Sequence, residues 1–133
     1  MRMGGARVRF ARAEAGAVAI EFAIVSLVLV LVAFGTIEFG RGLQVRNELS
    51  YAVDVAAREV LTDKEATAAR IESAVRGAFR ASDPERLQVA VTTETVNGVT
   101  FRAVDASYPF TFLVPGLAGD GIRLSVARRM PLV

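Results

Sequence analysis

The sequence predicts an α+β protein, in which a long N-terminal transmembrane helix continues into an exported domain made of a second helix and a three-stranded antiparallel sheet. Three observations carry that prediction. Residues 15–37, AGAVAIEFAIVSLVLVLVAFGTI, hold a single charge, Glu21. Apolar residues then keep a helical spacing to about residue 61, and from Leu87 they change to alternation. Asn97-Gly98, a hairpin dipeptide, interrupts the alternating part.

The apolar run comes first. At about 1.5 Å of rise per residue, ~20 residues cross a hydrocarbon layer roughly 30 Å thick. Leu, Ile, Val, Phe and Ala fill it so evenly that no polar face remains, unlike an amphipathic helix of a soluble fold. Glu21 is the exception, and an ionised side chain there costs at least a few kcal/mol unless it is paired or reaches the interface. Ahead of the run, residues 1–16 carry Arg2, Arg7, Arg9 and Arg12 against Glu14 alone. A cationic segment before an apolar helix stays on the cytoplasmic side, so the remainder is exported. The expected organisation is a solvated basic leader at 1–16, a transmembrane helix at 17–37 and an exported α+β domain at 38–133.

Charge and composition narrow the functional classes. The chain of 133 residues has net charge +2, with 16 basic and 14 acidic residues. Removing the leader's four arginines and one glutamate leaves 12 basic against 13 acidic from Ala17 onward. The basicity therefore belongs to the leader, and nucleic-acid binding is not expected. There is no Cys and no His, which removes disulfides, thiolate metal sites and the usual nucleophile–base pairs. Gly116, Gly119 and Gly121 are not followed by Lys-Ser/Thr and do not make a phosphate loop. No enzyme, cofactor or small-molecule substrate is expected.

Beyond the span, Glu38 and Arg41 are expected to mark the exit into water. Leu49, Ala52, Val53, Ala56, Ala57 and Val60 recur at three- and four-residue intervals, with Asp54 and Arg58 placed for an i,i+4 pair. One helix over about 17–61 follows. Thr62-Asp63-Lys64-Glu65 has the form of a capping box, so the second helix should begin there, with Ala68, Ile71, Val75, Ala78 and Phe79 as its stripe and Glu72 and Arg76 as a surface pair. Ser82-Asp83-Pro84 ends it. Leu87, Val89 and Val91 begin the first strand, residues 99–108 the second, and Ile122, Leu124 and Val126 the third. In the second, Phe101 and Ala103 lie on one parity while Val104, Ala106, Tyr108, Phe110 and Phe112 lie on the other, which predicts a bulge near Ala103. Pro109 confines this stretch to an edge or a strand end. The alternating aromatics read as sheet core, residues 114–121 as a loop, and Arg128-Arg129 as a solvated strand end.

Gly16, Ala17, Glu21 and Phe22 carry the functional signal. A glycine at the cytoplasmic border, a small residue after it, a glutamate five positions beyond the glycine and then an aromatic resemble the type IV prepilin cleavage motif. GAVAIEFAIV (residues 16–25), FGTIEFGR (34–41) and YPFTFLVPGL (108–117) together resemble the TadE-like family, pilin-like proteins of the tight-adherence or Flp pilus system. The resemblance implies cleavage after Gly16 by a membrane prepilin peptidase, Ala17 as the new N-terminus, and an assembly role for Glu21 and Phe22. Its partners would be the membrane, that peptidase and other pilin-like subunits. The protein would sit in the inner membrane with its N-terminus cytoplasmic and its C-terminal domain periplasmic or extracellular, as a minor pilin or pseudopilin that either enters the pilus or primes its assembly. Family members often carry a proline after the glutamate, whereas Ile24-Val25-Ser26-Leu27 stands here, so no kink is expected. Val18-Ala19-Ile20 replaces the Phe-Thr-Leu of secretion pseudopilins, which favours the Flp branch.

The motif also makes sense in physical terms. Glycine leaves a protease groove unobstructed, and cleavage would create an α-amino cation one helical turn from Glu21, or within reach of Glu21 on a staggered neighbour. That pairing would turn a buried-charge penalty into a register lock between helices. Two other readings stay open: an uncleaved single-pass anchor presenting a binding module, and a soluble domain released by signal peptidase at Ala33-Phe34-Gly35, beginning near Thr36.

Overall fold

The computed structural model describes residues 5–81, 83–113, 119 and 121–132, with side chains from Gly16 onward. The elements in order are α1 (Gly5–Thr62), α2 (Ala68–Ala78), a 3-10 turn (Pro84–Arg86), β1 (Gln88–Val96), β2 (Val99–Phe110) and β3 (Ile122–Pro131). The α+β class is as expected. The chain divides into two units, Met1–Ile37 and Glu38–Val133.

In the first unit, α1 begins at Gly5, twelve positions before the expected start at Ala17. Ala, Arg and Glu dominate residues 6–15, and they extend a helix that is already nucleated at little cost. No proline interrupts α1. From residue 16 to 37 every side chain is exposed or half-exposed, and none is buried.

In the second unit the helical spacing has its expected result. Leu49, Ala52, Val53, Ala56 and Val60 are all buried, on the face of α1 that meets the core. Ile71 and Val75 of α2 join them, with Phe79, Leu87, Val104, Ala106, Tyr108, Val126 and Met130. Burying a side chain of Leu or Val size contributes roughly 1.5–3 kcal/mol, so this cluster holds the unit together.

The second helix starts later than its sequence suggests. Thr62 ends α1 and donates its hydroxyl to the Arg58 carbonyl (2.9 Å). Asp63 takes the turn, accepting from the Glu65 N–H (3.0 Å). Thr67 is the true cap, its hydroxyl accepting from the Arg70 N–H at 3.3 Å. The capping-box pattern at residues 62–65 lost because burial of Val60 kept α1 helical through Thr62. Ala68, placed on the stripe by spacing, is exposed. Arg70 instead ties the turn down, pairing with Glu59 and with Asp63. Glu72 and Arg76 pair as expected at 2.9 Å.

The sheet has the order β1-β2-β3, with both pairings antiparallel. Asn97 and Gly98 take φ of 53° and 80°, the left-handed pair that a two-residue hairpin of type I′ requires. Pairing runs without a slip from Gln88↔Ser107 to Val96↔Val99, so the bulge expected near Ala103 is absent. Val104, Ala106, Tyr108 and Phe110 face the helices and are buried, whereas Phe101 and Ala103 are half-buried on the other face. On that outer face the Arg123 guanidinium donates to Gln88 at 2.7 Å and Arg129 meets Glu94 at 2.8 Å, so two β3 side chains reach across β2. This roof supplies the apolar-looking parity with cover and needs no change of register. Pro109 lies past Ser107, the last β2 residue paired with β1; it sits at a strand end, although β2 is the central strand.

Two expected charge placements also change. Asp54 pairs across the unit with Arg128 (3.0 Å) and not with Arg58. Arg128 and Arg129 lie inside β3 and, as strand neighbours, point to opposite faces. The loop reading of residues 114–121 falls largely outside the described residues.

Candidate functional site

The residues singled out for processing and assembly all lie on the first unit's helix. Gly16, Ala17, Glu21 and Phe22 are exposed, Phe22 to 72%. Ala17 and Glu21 are four residues apart and share a face, while Phe22 is turned about 100° further round. Glu21 has no ion pair among the described residues.

Gly16 is not required by packing. A Cβ there would meet nothing within 4 Å, and its φ is not in the left-handed region. Glycine inside a helix costs about 1 kcal/mol relative to alanine, so the fold alone would favour another residue. Gly35 and Gly40 are equally unconstrained. What distinguishes Gly16 is its place at the border between the arginine-bearing segment and the apolar run. The Gly16–Ala17 bond also lies within α1, so any protease that reads an extended backbone must first unwind this turn.

A second acid was misread from sequence. Glu38, expected at an exit into water, is only 2% exposed. Arg41 donates to both its oxygens (3.1 and 2.9 Å), and the Leu113 backbone N–H donates to Oε1 at 3.1 Å. The i,i+3 spacing to Arg41 was visible in the sequence, but nothing local announces the Leu113 amide. The Arg41 guanidinium also stacks 5.3 Å from the Phe110 ring centroid, and Phe110 meets Phe112 edge-on at 5.3 Å. Tyr108 and Phe110 are buried and Phe112 half-buried, which largely supports the sheet-core reading of this aromatic row. Among the described residues no cluster of three or more acids could hold a metal ion.

A bare apolar helix with one acid near its start precedes, in the chain, a small α+β unit with a three-stranded antiparallel sheet. Within α1, the 47 residues Gly16–Thr62 include a stretch long and apolar enough to cross a membrane. The family model of TadE-like proteins matches residues 16–58, the family that the sequence resembles, and the match begins at Gly16. It ends inside α1, so α2 and the sheet lie outside it. No curated protein and no solved structure matches the chain.

Proposed function

We propose that the protein is a TadE-like minor pilin or pseudopilin that helps assemble a tight-adherence (Flp, type IV-like) pilus. In this reading residues 1–16 are a cytoplasmic leader, residues 17–37 cross the inner membrane and residues 38–133 are exported. The role is structural. A prepilin peptidase removes the leader after Gly16, and the mature helix associates with other pilin-like helices.

The observation that carries this reading is the uncovered apolar face of residues 16–37, with Glu21 as its one charged side chain. A surface of that kind is stable only where lipid or other helices cover it. Once Ala17 is a free N-terminus, its ammonium lies one turn from Glu21, and pairing within or between helices offsets the desolvation of the carboxylate. Phe22 extends beside it as a packing knob.

N-terminal sequencing of the mature protein tests the proposal, since Ala17, Met1 and Thr36 mark the pilin, the uncleaved anchor and the secreted domain respectively. Glu21→Ala is expected to leave membrane insertion intact and to impair pilus assembly; normal piliation would remove the pairing role. Gly16→Leu should strengthen the helix by up to about 1 kcal/mol yet block maturation.

A further inference from the structure

The second unit exposes an apolar rim at the end where it begins. Phe39 is 69% exposed, Leu43 44%, Leu113 67% and Ile122 45%. Phe39, Leu43 and Ile122 line a cleft of about 170 Å³ together with Phe110 and Phe112. Two of the rim residues follow the apolar run directly on α1. The other two come from distant sequence: Leu113 is held by its N–H on the Glu38 carboxylate, and Ile122 is paired with Phe110. Glu38 is the residue after Ile37, so Leu113 is tethered to the first turn beyond the apolar run.

We propose that this rim rests in the interfacial layer of an anionic phospholipid bilayer, a reading that depends on residues 17–37 spanning the membrane. Three observations favour lipid as the occupant. In sequence, Phe39 and Leu43 follow Ile37, the last residue of the apolar run, by two and six positions on α1. Its charge is cationic: Arg46 lines the cleft and has no carboxylate partner among the described residues, while the acid that lines it, Glu38, is buried and paired with Arg41. An arginine beside apolar side chains suits the headgroup level, where the guanidinium reaches phosphate and the stem lies in apolar surroundings. Lastly, four part-exposed side chains of this size present on the order of 400 Å², below the ~800 Å² per partner of a stable protein interface. A bilayer that already holds the anchor has no such threshold.

The absence of cysteine makes the test direct. Single cysteines at Leu113, Ile122, Val28 and Lys64 (L113C, I122C, V28C, K64C) are labelled with a fluorophore in the full chain, reconstituted into phosphatidylcholine–phosphatidylglycerol vesicles. Quenching is compared between brominated acyl chains and aqueous iodide. The Leu113 and Ile122 probes should lose fluorescence to bromolipid severalfold more than the Lys64 probe, and the difference should shrink in the R46E background. If Val28 is quenched by lipid while Leu113 and Ile122 behave like Lys64, the rim proposal is overturned and the membrane reading stands. A Val28 probe open to iodide overturns both. Leu113 and Ile122 probes shielded from both quenchers, with cross-links between copies, would assign the rim to a second chain and overturn the lipid assignment.

Discussion

Leu29 and Leu49 lie on the same helix, α1, in opposite circumstances. Leu29 is 63% exposed and Leu49 is fully buried. The contrast extends to their units, since residues 16–37 bury no side chain whereas Glu38–Val133 assembles a core from two helices and a sheet. It extends also to the acids, Glu21 on a bare apolar face and Glu38 enclosed by Arg41 and a backbone amide. Both charge and periodicity separate the two stretches of α1: residues 15–37 hold one charged side chain, whereas residues 38–61 set an apolar stripe among charged ones. An all-round apolar segment offers no inward side and must be covered by something else, while a stripe with polar flanks can be covered by its own chain.

The largest test of this contrast applies one substitution twice. Leu49→Ala should destabilise the second unit by roughly 2–5 kcal/mol through lost burial and a residual cavity, read by chemical denaturation in detergent, whereas Leu29→Ala should leave that transition in place. Equal effects would mean that the two units are not independent.

Next come the glutamates. Glu38→Ala strips an acceptor from the Leu113 N–H and both contacts from Arg41, at about 1–3 kcal/mol; the partial exposure of Arg41 keeps the cost below that of a fully buried broken pair. Glu38→Gln, which retains an acceptor, should cost less. Glu21→Ala should not shift the denaturation midpoint, its consequence being confined to assembly.

Glycines sharpen the comparison further. A Cβ on Gly121, at φ +99°, would lie 2.3 Å from the Phe110 carbonyl oxygen, whereas on Gly98, at φ +80°, it would meet open space. Gly121→Ala should therefore lower the thermal midpoint more than Gly98→Ala, each costing more than the ~0.4–1 kcal/mol that an unstrained change would contribute in the opposite direction. Smallest is the pair of threonines. Thr67→Ala should cost about 1 kcal/mol as a lost cap, and Thr62→Ala only a few tenths, since its hydroxyl merely bonds back within α1. The reverse order would restore the capping box at residues 62–65.

Much of the fold was legible because its signals are local. The run of residues 49–60 was buried where its spacing placed it, and Asn97-Gly98 formed the turn its backbone preferences allow. The four residues of the candidate site stand out by type and spacing, and each of them is exposed. Three of the misreadings share one cause: each depended on a partner distant in sequence. Arg128 took Asp54 from Arg58, Arg123 and Arg129 covered the outer face of β2 without a bulge, and the Leu113 amide drew Glu38 out of water.

Sequence alone determined the class of elements, the apolar helix and its lone acid, because hydropathy and periodicity are properties of neighbouring residues. Only the tertiary structure decided where the second helix starts, which charges meet, and that the first acid beyond the apolar run is buried. Those outcomes depend on which surfaces the packed elements bring within hydrogen-bond distance, and no local pattern encodes that distance.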